Sequence, residues 1–454
     1  MSSSREAITF RANVQKSLRD LMLREAIKRA TDTFVTKRTE GTASLPMEEW
    51  REKASIIRMQ VLDNLPQYVE QFCASAERAG AKVYQAVDAE SARRTVAGIL
   101  EDRGVKKVVK AKSMVTEEIH LNPYLQDRGI EVLETDLCEY IVQLAAETPS
   151  HILAPAIHKT REQIGKLFAE KLGVDYSDDP TVLTRVARNV LRNEFLTADA
   201  GITGANFAVA DTGSLVIFTN EGNGRMVTTV PRLHVAVLTI EKLLPSVTDL
   251  PSFVRLLPRS ATGQMLSSYV SVITGPRKPG DLTGADELHI VLLDNGRREI
   301  LRGEYREILK CIRCSACMNV CPVYRAIGGH AYDSTYPGPM GIVLTALLEG
   351  MERAYPVLDA TTLCGACVDA CPVKVPLVKL LYRLREVSVE RGFVPPLEKR
   401  GMSAFGAAVS SPAVFAFGQA LARIFWPLAQ KLSGHGAVHR IPRPVARTFR
   451  RRMS

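Results

Sequence analysis

The chain has 454 residues, 46% hydrophobic and 24% charged, with a formal net charge of +10. That length exceeds one ordinary core and predicts two or three domains, and the composition is that of a globular protein rather than a disordered or fibrous one. Seven of the nine cysteines fall between 311 and 371, whereas a disulfide scaffold spreads its cysteines along a short secreted chain.

Residues 1–75 are expected to form an N-terminal helical region. Both "VQKSLRDLMLREAIKRATDTF" and "WREKASIIRMQVLDNLPQYVEQF" carry apolar residues at intervals of three and four. The opening "MSSSREAITFRANVQKSLRD" lacks the apolar core of a signal peptide, so the expected setting is cytoplasmic, with reduced thiols available to metal.

Residues 76–300 read as one α/β domain with a mixed sheet and helices on both faces. "AKVYQAV" predicts a strand and "DAESARRTVAGILEDRG" a helix opened by Asp88. "VKKVVKA" is a second strand, "SMVTEEIHLNPYLQDRG" a helix capped by Ser113, and "IEVLET" a third strand. Short loops between such elements imply βαβ crossovers and a parallel sheet. In "FAVADTGSLVIFTNEGNGRMVTTVPRLHVAVLTI" the pattern predicts strand, turn, strand, turn and strand. A continuous apolar strand follows at 233–240, of the kind buried on both faces. "LHIVLLDNGR" closes the domain with a strand and an Asn-Gly turn.

Residues 301–393 lose the strand signal and read as a small helical domain built around cysteine. Residues 394–454 form a tail introduced by Pro395-Pro396. Its apolar stretch, 402–429, approaches the length of a membrane span but is interrupted by Pro412, Gln419, Arg423 and Pro427. Residues 433–454 then carry six arginines (440, 443, 447, 450, 451 and 452) and no acid, leaving +4 for the rest of the chain. The tail is consistent with a solvated segment, with a membrane-surface anchor, or with a helix buried against a partner. Nucleic acid is not an expected partner, because no basic stripe interleaved with aromatics is present.

The chemistry is concentrated in Cys311, Cys314, Cys317 and Cys321-Pro322, a C-x2-C-x2-C-x3-C-P run. Three thiolates two residues apart wrap one four-iron cube, while the fourth cysteine points to a neighbouring cube. Zinc sites more often show paired C-x2-C knuckles. The second run, Cys364-x2-Cys367-x3-Cys371-Pro372, has Thr361 where a first cysteine would stand. With the fourth ligands exchanged, one 4Fe-4S cluster takes Cys311, Cys314, Cys317 and Cys371. The other takes Cys364, Cys367 and Cys321 and is one thiolate short. It is a three-iron cluster, or its open iron is bound by water, by an oxygen of Asp359 or Thr361, or by a partner. Two adjacent clusters mean electron transfer, with a structural role as the alternative.

Several stretches resemble the lactate utilization protein B family of iron–sulfur proteins: "VVKAKSMVTEEI", "EVLETDLCEYIVQL", "PSHILAPAIH", "GITGANFAVADTGSLVIFTNEGNGRMVTTVPRLHVAVLTIEKLLP", "RSATGQ" and the first cysteine run through "GGHAYDSTYPGPMG". The resemblance spans roughly residues 8–393 and includes all seven clustered cysteines. It implies a lactate-utilization (LUD) domain with a sugar-isomerase- and CoA-transferase-like fold, and an α-helical ferredoxin-like double-cluster domain. It also implies a role in oxidising L-lactate to pyruvate beside a cysteine-rich sister protein and a second LUD-domain protein. The chain departs from the family pattern at Cys138 and Ser315, which replace glycines, and in "LTGADE" at 282–287.

Within the α/β region, Lys110, Lys112 and Ser113 stand where a strand meets a helix start, either as an anion site or as a cap with two solvated lysines. "Asp211-Thr212-Gly213-Ser214" and "Glu221-Gly222-Asn223-Gly224" are turns open to a ligand or ordinary hairpin turns. Glu134 and Asp136 end a strand at the ligand-binding edge of such sheets. His151 and His158 are candidate acid–base groups or structural histidines. Two functions follow. One is an electron-transfer subunit that needs a two-electron centre elsewhere, because each cluster moves one electron at a time. The other is an α/β enzyme acting on a small carboxylate, phosphate or thioester, with structural or sensing clusters.

Overall fold

A computed structural model describes residues 9–432, with side chains of the last helix described to residue 425. The six tail arginines and the extreme N-terminus lie outside the described residues. The chain divides into two compact units, one through Arg385 and one from Glu386.

Among the described residues, ten strands form two sheets. They are β1 (Lys82–Ala86), β2 (Lys107–Lys110), β3 (Glu131–Glu134), β4 (Ala200–Thr203), β5 (Phe207–Val209), β6 (Ser214–Thr219), β7 (Leu233–Thr239), β8 (Leu243–Leu244), β9 (Tyr269–Ile273) and β10 (Glu287–Leu293). The first sheet is parallel throughout, in the order β1-β10-β7-β4-β2-β3. The second has the order β8-β5-β6-β9 and contains the antiparallel pairs β5–β6 and β6–β9. The expected α/β architecture is therefore present, as one wholly parallel sheet and a second, mixed sheet in which β5 also pairs in parallel with β8. Every residue of β7 is buried, as its unbroken apolar run requires. Val235 and Val237 face one core with Val108, Val132 and Val291. Ala236 and Leu238 face the other with Val69, Phe72 and Leu292.

Local chemistry accounts for most boundaries. Asp88 closes a capping box with Ser91 at the start of the helix Ala89–Glu101. The single helix expected over 113–129 is broken into Met114–Glu118 and Leu121–Gln126, with His120 left-handed at φ 50°. Pro123 has no N–H to give to the Ile119 carbonyl, and Arg93 donates to that carbonyl instead, at 3.3 Å. "GRMVTTV", expected as a strand, is part of the helix Asn223–Thr229. Its Val227 carbonyl lies where a Cβ on Gly201 would come within 2.1 Å, so close packing on β4 overrides the β-branched composition. The strand β9, from the β-branched run "YVSVI", is not among the elements expected above.

No strand follows β10 among the described residues. The cysteine-rich part consists of short helices that include Ala316–Asn319, Pro322–Ile327, Gly338–Leu348 and Ala366–Asp369. The N-terminal helices pack on it: Phe10 lies 6.0 Å from the Tyr332 ring, and Asp32 pairs with Arg325. In the second unit, Pro396–Ser410 and Pro412–Phe425 meet at a bend of 113°. No single described helix is long and apolar enough to cross a membrane.

Candidate iron–sulfur site

The two cysteine loops repeat one backbone. Arg313 and Ser315 are left-handed at φ 57° and 64°, and their counterparts Leu363 and Gly365 at 54° and 89°. Ser315 accepts from Met318 and Asn319 N–H at 2.9 and 3.1 Å, as Gly365 does from Val368 and Asp369 at 2.8 and 3.3 Å. The Arg313 N–H points to Cys311 Sγ at 3.4 Å. In the second loop the Leu363 N–H donates to Thr361 Oγ1 at 3.1 Å. Thr361 thus takes the structural place of a first cysteine, down to the atom that receives the hydrogen bond.

Cys311, Cys314, Cys317 and Cys371 line one cavity, closed by Ile312, Met340, Val373, Val375 and Leu377. Among the described residues no three His, Cys, Asp or Glu side chains converge on one point as they do around a single metal ion. The four thiols ring a space instead, as a cube with one iron per thiolate demands. Val375 N–H donates to Cys371 Sγ at 3.3 Å. Burial and the neighbouring thiols push Cys314 and Cys317 up, and burial does the same to Cys371. Thiolates in this site therefore need a positive partner, which iron supplies. The residues present fit an iron–sulfur group.

The other three clustered cysteines, Cys321, Cys364 and Cys367, lie near one another. Burial, then the nearby Cys321 and Cys364, push Cys367 up to about 12. Burial and Cys364 also raise Cys321. Cys364 is exposed, and a hydrogen bond from the Ala366 N–H lowers it. Asp359 is exposed and lies 3.8 Å from Arg11, while the Thr361 carbonyl accepts from Arg385 at 2.8 Å.

The helix Met47–Asp63 holds the first set in place, a feature not foreseen from the sequence. Arg51, Ser55 and Arg58 share one face of it. Arg51 donates to the carbonyls of Cys371 (2.9 Å) and Val368 (3.2 Å). Fully buried Arg58 donates to Lys310 (3.2 Å), Leu309 (2.9 Å), Leu243 (2.9 Å) and Glu241 carbonyls. Burial pushes it down to about 10, so it remains charged at neutral pH. The signal was an arginine inside the apolar stripe of Ala54, Ile57 and Val61.

The α/β candidates are mostly engaged internally. Lys110 is buried and paired with Glu134 at 2.6 Å and Glu117 at 3.3 Å. Lys112 donates to the Leu153 carbonyl at 3.0 Å, and Ser113 caps Thr116 N–H at 3.4 Å. Lys110 is buried and Lys112 half-buried, and both face protein oxygens rather than an open anion site. Gly213 lies against Ala76, whose N a Cβ would meet at 2.2 Å, so "DTGS" serves helix packing. Asp136 caps the helix Leu137–Leu144. Glu221 accepts from Leu137 N–H at 3.2 Å, and burial beside Asp136 pushes it up to about 7. His151 accepts from Leu153 and Ala154 N–H through Nδ1 and donates from Nε2 to Asn319 at 3.0 Å. Burial pushes it down to about 4, so it is a neutral clamp between the α/β domain and the cysteine loop. His158 pairs with Glu147 at 2.7 Å and lines a cleft of about 820 Å³ with Glu117, His120, His330 and Arg353.

An α/β domain on a parallel sheet, joined to two repeated cysteine loops, defines a two-part iron–sulfur protein. Residues 69–293 match the LUD domain family and residues 307–375 the 4Fe-4S dicluster domain family. The chain is 47% identical to "Lactate utilization protein B" of Lysinibacillus sphaericus, over 89% of this chain and 86% of that one. It is 45% identical to the protein of that name from Shouchella clausii, over 97% and 95%, and 45% identical to that of Bacillus subtilis, over 90% and 86%. The chain belongs to the lactate utilization protein B family.

Proposed function

We propose that this chain is the electron-transfer subunit of a multi-protein system that oxidises L-lactate to pyruvate in the cytoplasm. The family membership supports the lactate assignment. The observation that carries electron transfer is the cavity shared by Cys311, Cys314 and Cys317 with Cys371, which comes from the other loop. In this reading those four hold one 4Fe-4S cluster, and Cys321, Cys364 and Cys367 hold a second, open at Thr361. When bound, each cluster accepts and releases one electron. The protein's residues keep water from the first set with Ile312, Val373 and Leu377 and fix its loops through Arg51 and Arg58. Lactate oxidation releases two electrons together, so the two-electron centre belongs to a partner: the cysteine-rich sister protein or the second LUD-domain protein.

The domain limits that accompany this reading are 1–75, 76–300, 301–393 and 394–454. The tail helices serve as a peripheral membrane contact. Phe405, Phe415, Phe417, Ile424 and Phe425 are exposed on them, and the arginine run follows.

The test uses anaerobically purified protein. Iron and sulfide content should correspond to two clusters. Cys371→Ser should deplete the cluster of the first loop, and Cys321→Ser the other. Lactate should reduce the clusters only when the partner proteins are added. Turnover of lactate by this chain alone, with an artificial acceptor, would overturn the assignment. It would favour the α/β-enzyme reading, for which the cleft at His158 is the candidate site.

A further inference from the structure

The first cysteine loop carries a cation that its spacing does not require. Arg313 lines the cavity of Cys311, Cys314, Cys317 and Cys371, and its side chain is only 10% exposed. Its guanidinium lies 5.0 Å from the centre of the Tyr336 ring and 3.7 Å from Met340 Sδ. The equivalent residue of the second loop, Leu363, has the same left-handed backbone and no charge. The nearby arginines Arg38, Arg51 and Arg58 direct N–H groups to main-chain carbonyls, and Arg51 also pairs with the exposed Glu48 at 2.7 Å. Arg313 faces a side-chain carboxylate and the thiol cavity.

Arg313 is also tied to the α/β domain. Glu241, just after β7, lies 3.5 Å from Arg313 Nη2 through one oxygen and 3.5 Å from Arg297 Nε through the other. Arg297, just after β10, grips Glu118 with bonds of 2.5 and 2.6 Å. Glu118 accepts the Tyr336 hydroxyl at 2.7 Å. One buried network thus runs from the C-terminal ends of the parallel strands to the cavity of the first loop. Burial opposes ionisation of Glu241, but Arg297 and Arg313 hold its carboxyl below the usual range, so it stays charged beside Arg313.

We propose that Arg313 is a positioning residue that raises the reduction potential of the cluster held by Cys311, Cys314, Cys317 and Cys371, with Glu241 as its counterweight. Reduction by one electron makes such a cluster one charge more negative. A fixed cation in a dry site stabilises that form, and an adjacent carboxylate weakens the effect. The proposal rests on the ligand assignment above.

The experiment is a redox titration of the cluster-loaded full chain, followed by electron paramagnetic resonance. In Arg313→Gln, one midpoint should fall. At fixed potential the reduced-to-oxidised ratio of that cluster should drop at least tenfold, about 59 mV for one electron. In Glu241→Gln the same midpoint should rise, and in Arg313→Lys it should return most of the way to wild type. The other midpoint should stay in place throughout. Simple loosening of the site would move the Gln variants in one direction, and that result would overturn the proposal, as would unmoved midpoints. If Arg313→Gln fails to hold the cluster, Glu241→Gln decides: an upward shift supports the proposal, and no shift or a downward one rejects it. Failure of the ligand assignment reads out separately, as wild-type signals that survive Cys371→Ser.

Discussion

Ser315 shows how one residue can sit against its local preference. Its φ of 64° lies in the left-handed region that favours glycine, and it lines the thiol cavity. The second loop uses Gly365 at the matching position. Ser315→Gly should therefore stabilise the protein by about 1 kcal/mol, read as a higher unfolding midpoint of the cluster-loaded protein with iron content unchanged. A lower midpoint would show that the serine makes a contact worth more than its strain. The departure from the family pattern was legible in the sequence, but its backbone cost was not, because φ is set by the path of the whole loop. Cys138 is different. It is half-buried against a core cluster, and burial pushes its thiol up to about 12, so it behaves as an inert packing residue rather than a reactive one.

At the scale of elements, the repeated loops make Thr361 the most informative position. Its Oγ1 receives the same i+2 N–H that Cys311 Sγ receives, so a thiol placed there has its backbone already arranged. Thr361→Cys should complete the second cluster. Iron should approach about eight per chain, and the resonance signal of the open cluster should give way to that of a four-iron cube. Unchanged iron and spectra would mean that the Thr361 corner does not face the cluster. The cysteine loops were readable because their geometry is set within a few residues, by spacing, proline and small side chains. The helix Asn223–Thr229 was not. Val227, Thr228 and Thr229 favour a strand in isolation, but Val227 is buried in the core beside β4. Likewise the engagement of Lys110 by Glu134 needed strands β2 and β3 to be neighbours, which no local pattern states.

At the scale of the molecule, the second unit displays its apolar residues on the surface of two helices bent by 113°. Full-length protein should sediment with vesicles containing anionic lipid at low salt, and release as salt screens the arginines. Equal binding to neutral vesicles would leave only the apolar contribution, and absence from both would remove the membrane contact.

The sequence by itself determined the two cysteine loops, the threonine that stands at 361 in place of a first cysteine, the α/β class and the family. All of these depend on short-range spacing or on runs of residues that carry their own periodicity. Tertiary structure alone decided that Arg51 and Arg58 clamp the chain at Cys371 and Lys310, 320 and 252 residues away. It also decided that Glu241 and Arg313 meet beside the thiols. Charges this far apart in the chain are brought together only when the helix Met47–Asp63 and the strand ends of the parallel sheet close on the same cavity. There, low dielectric makes each pairing count.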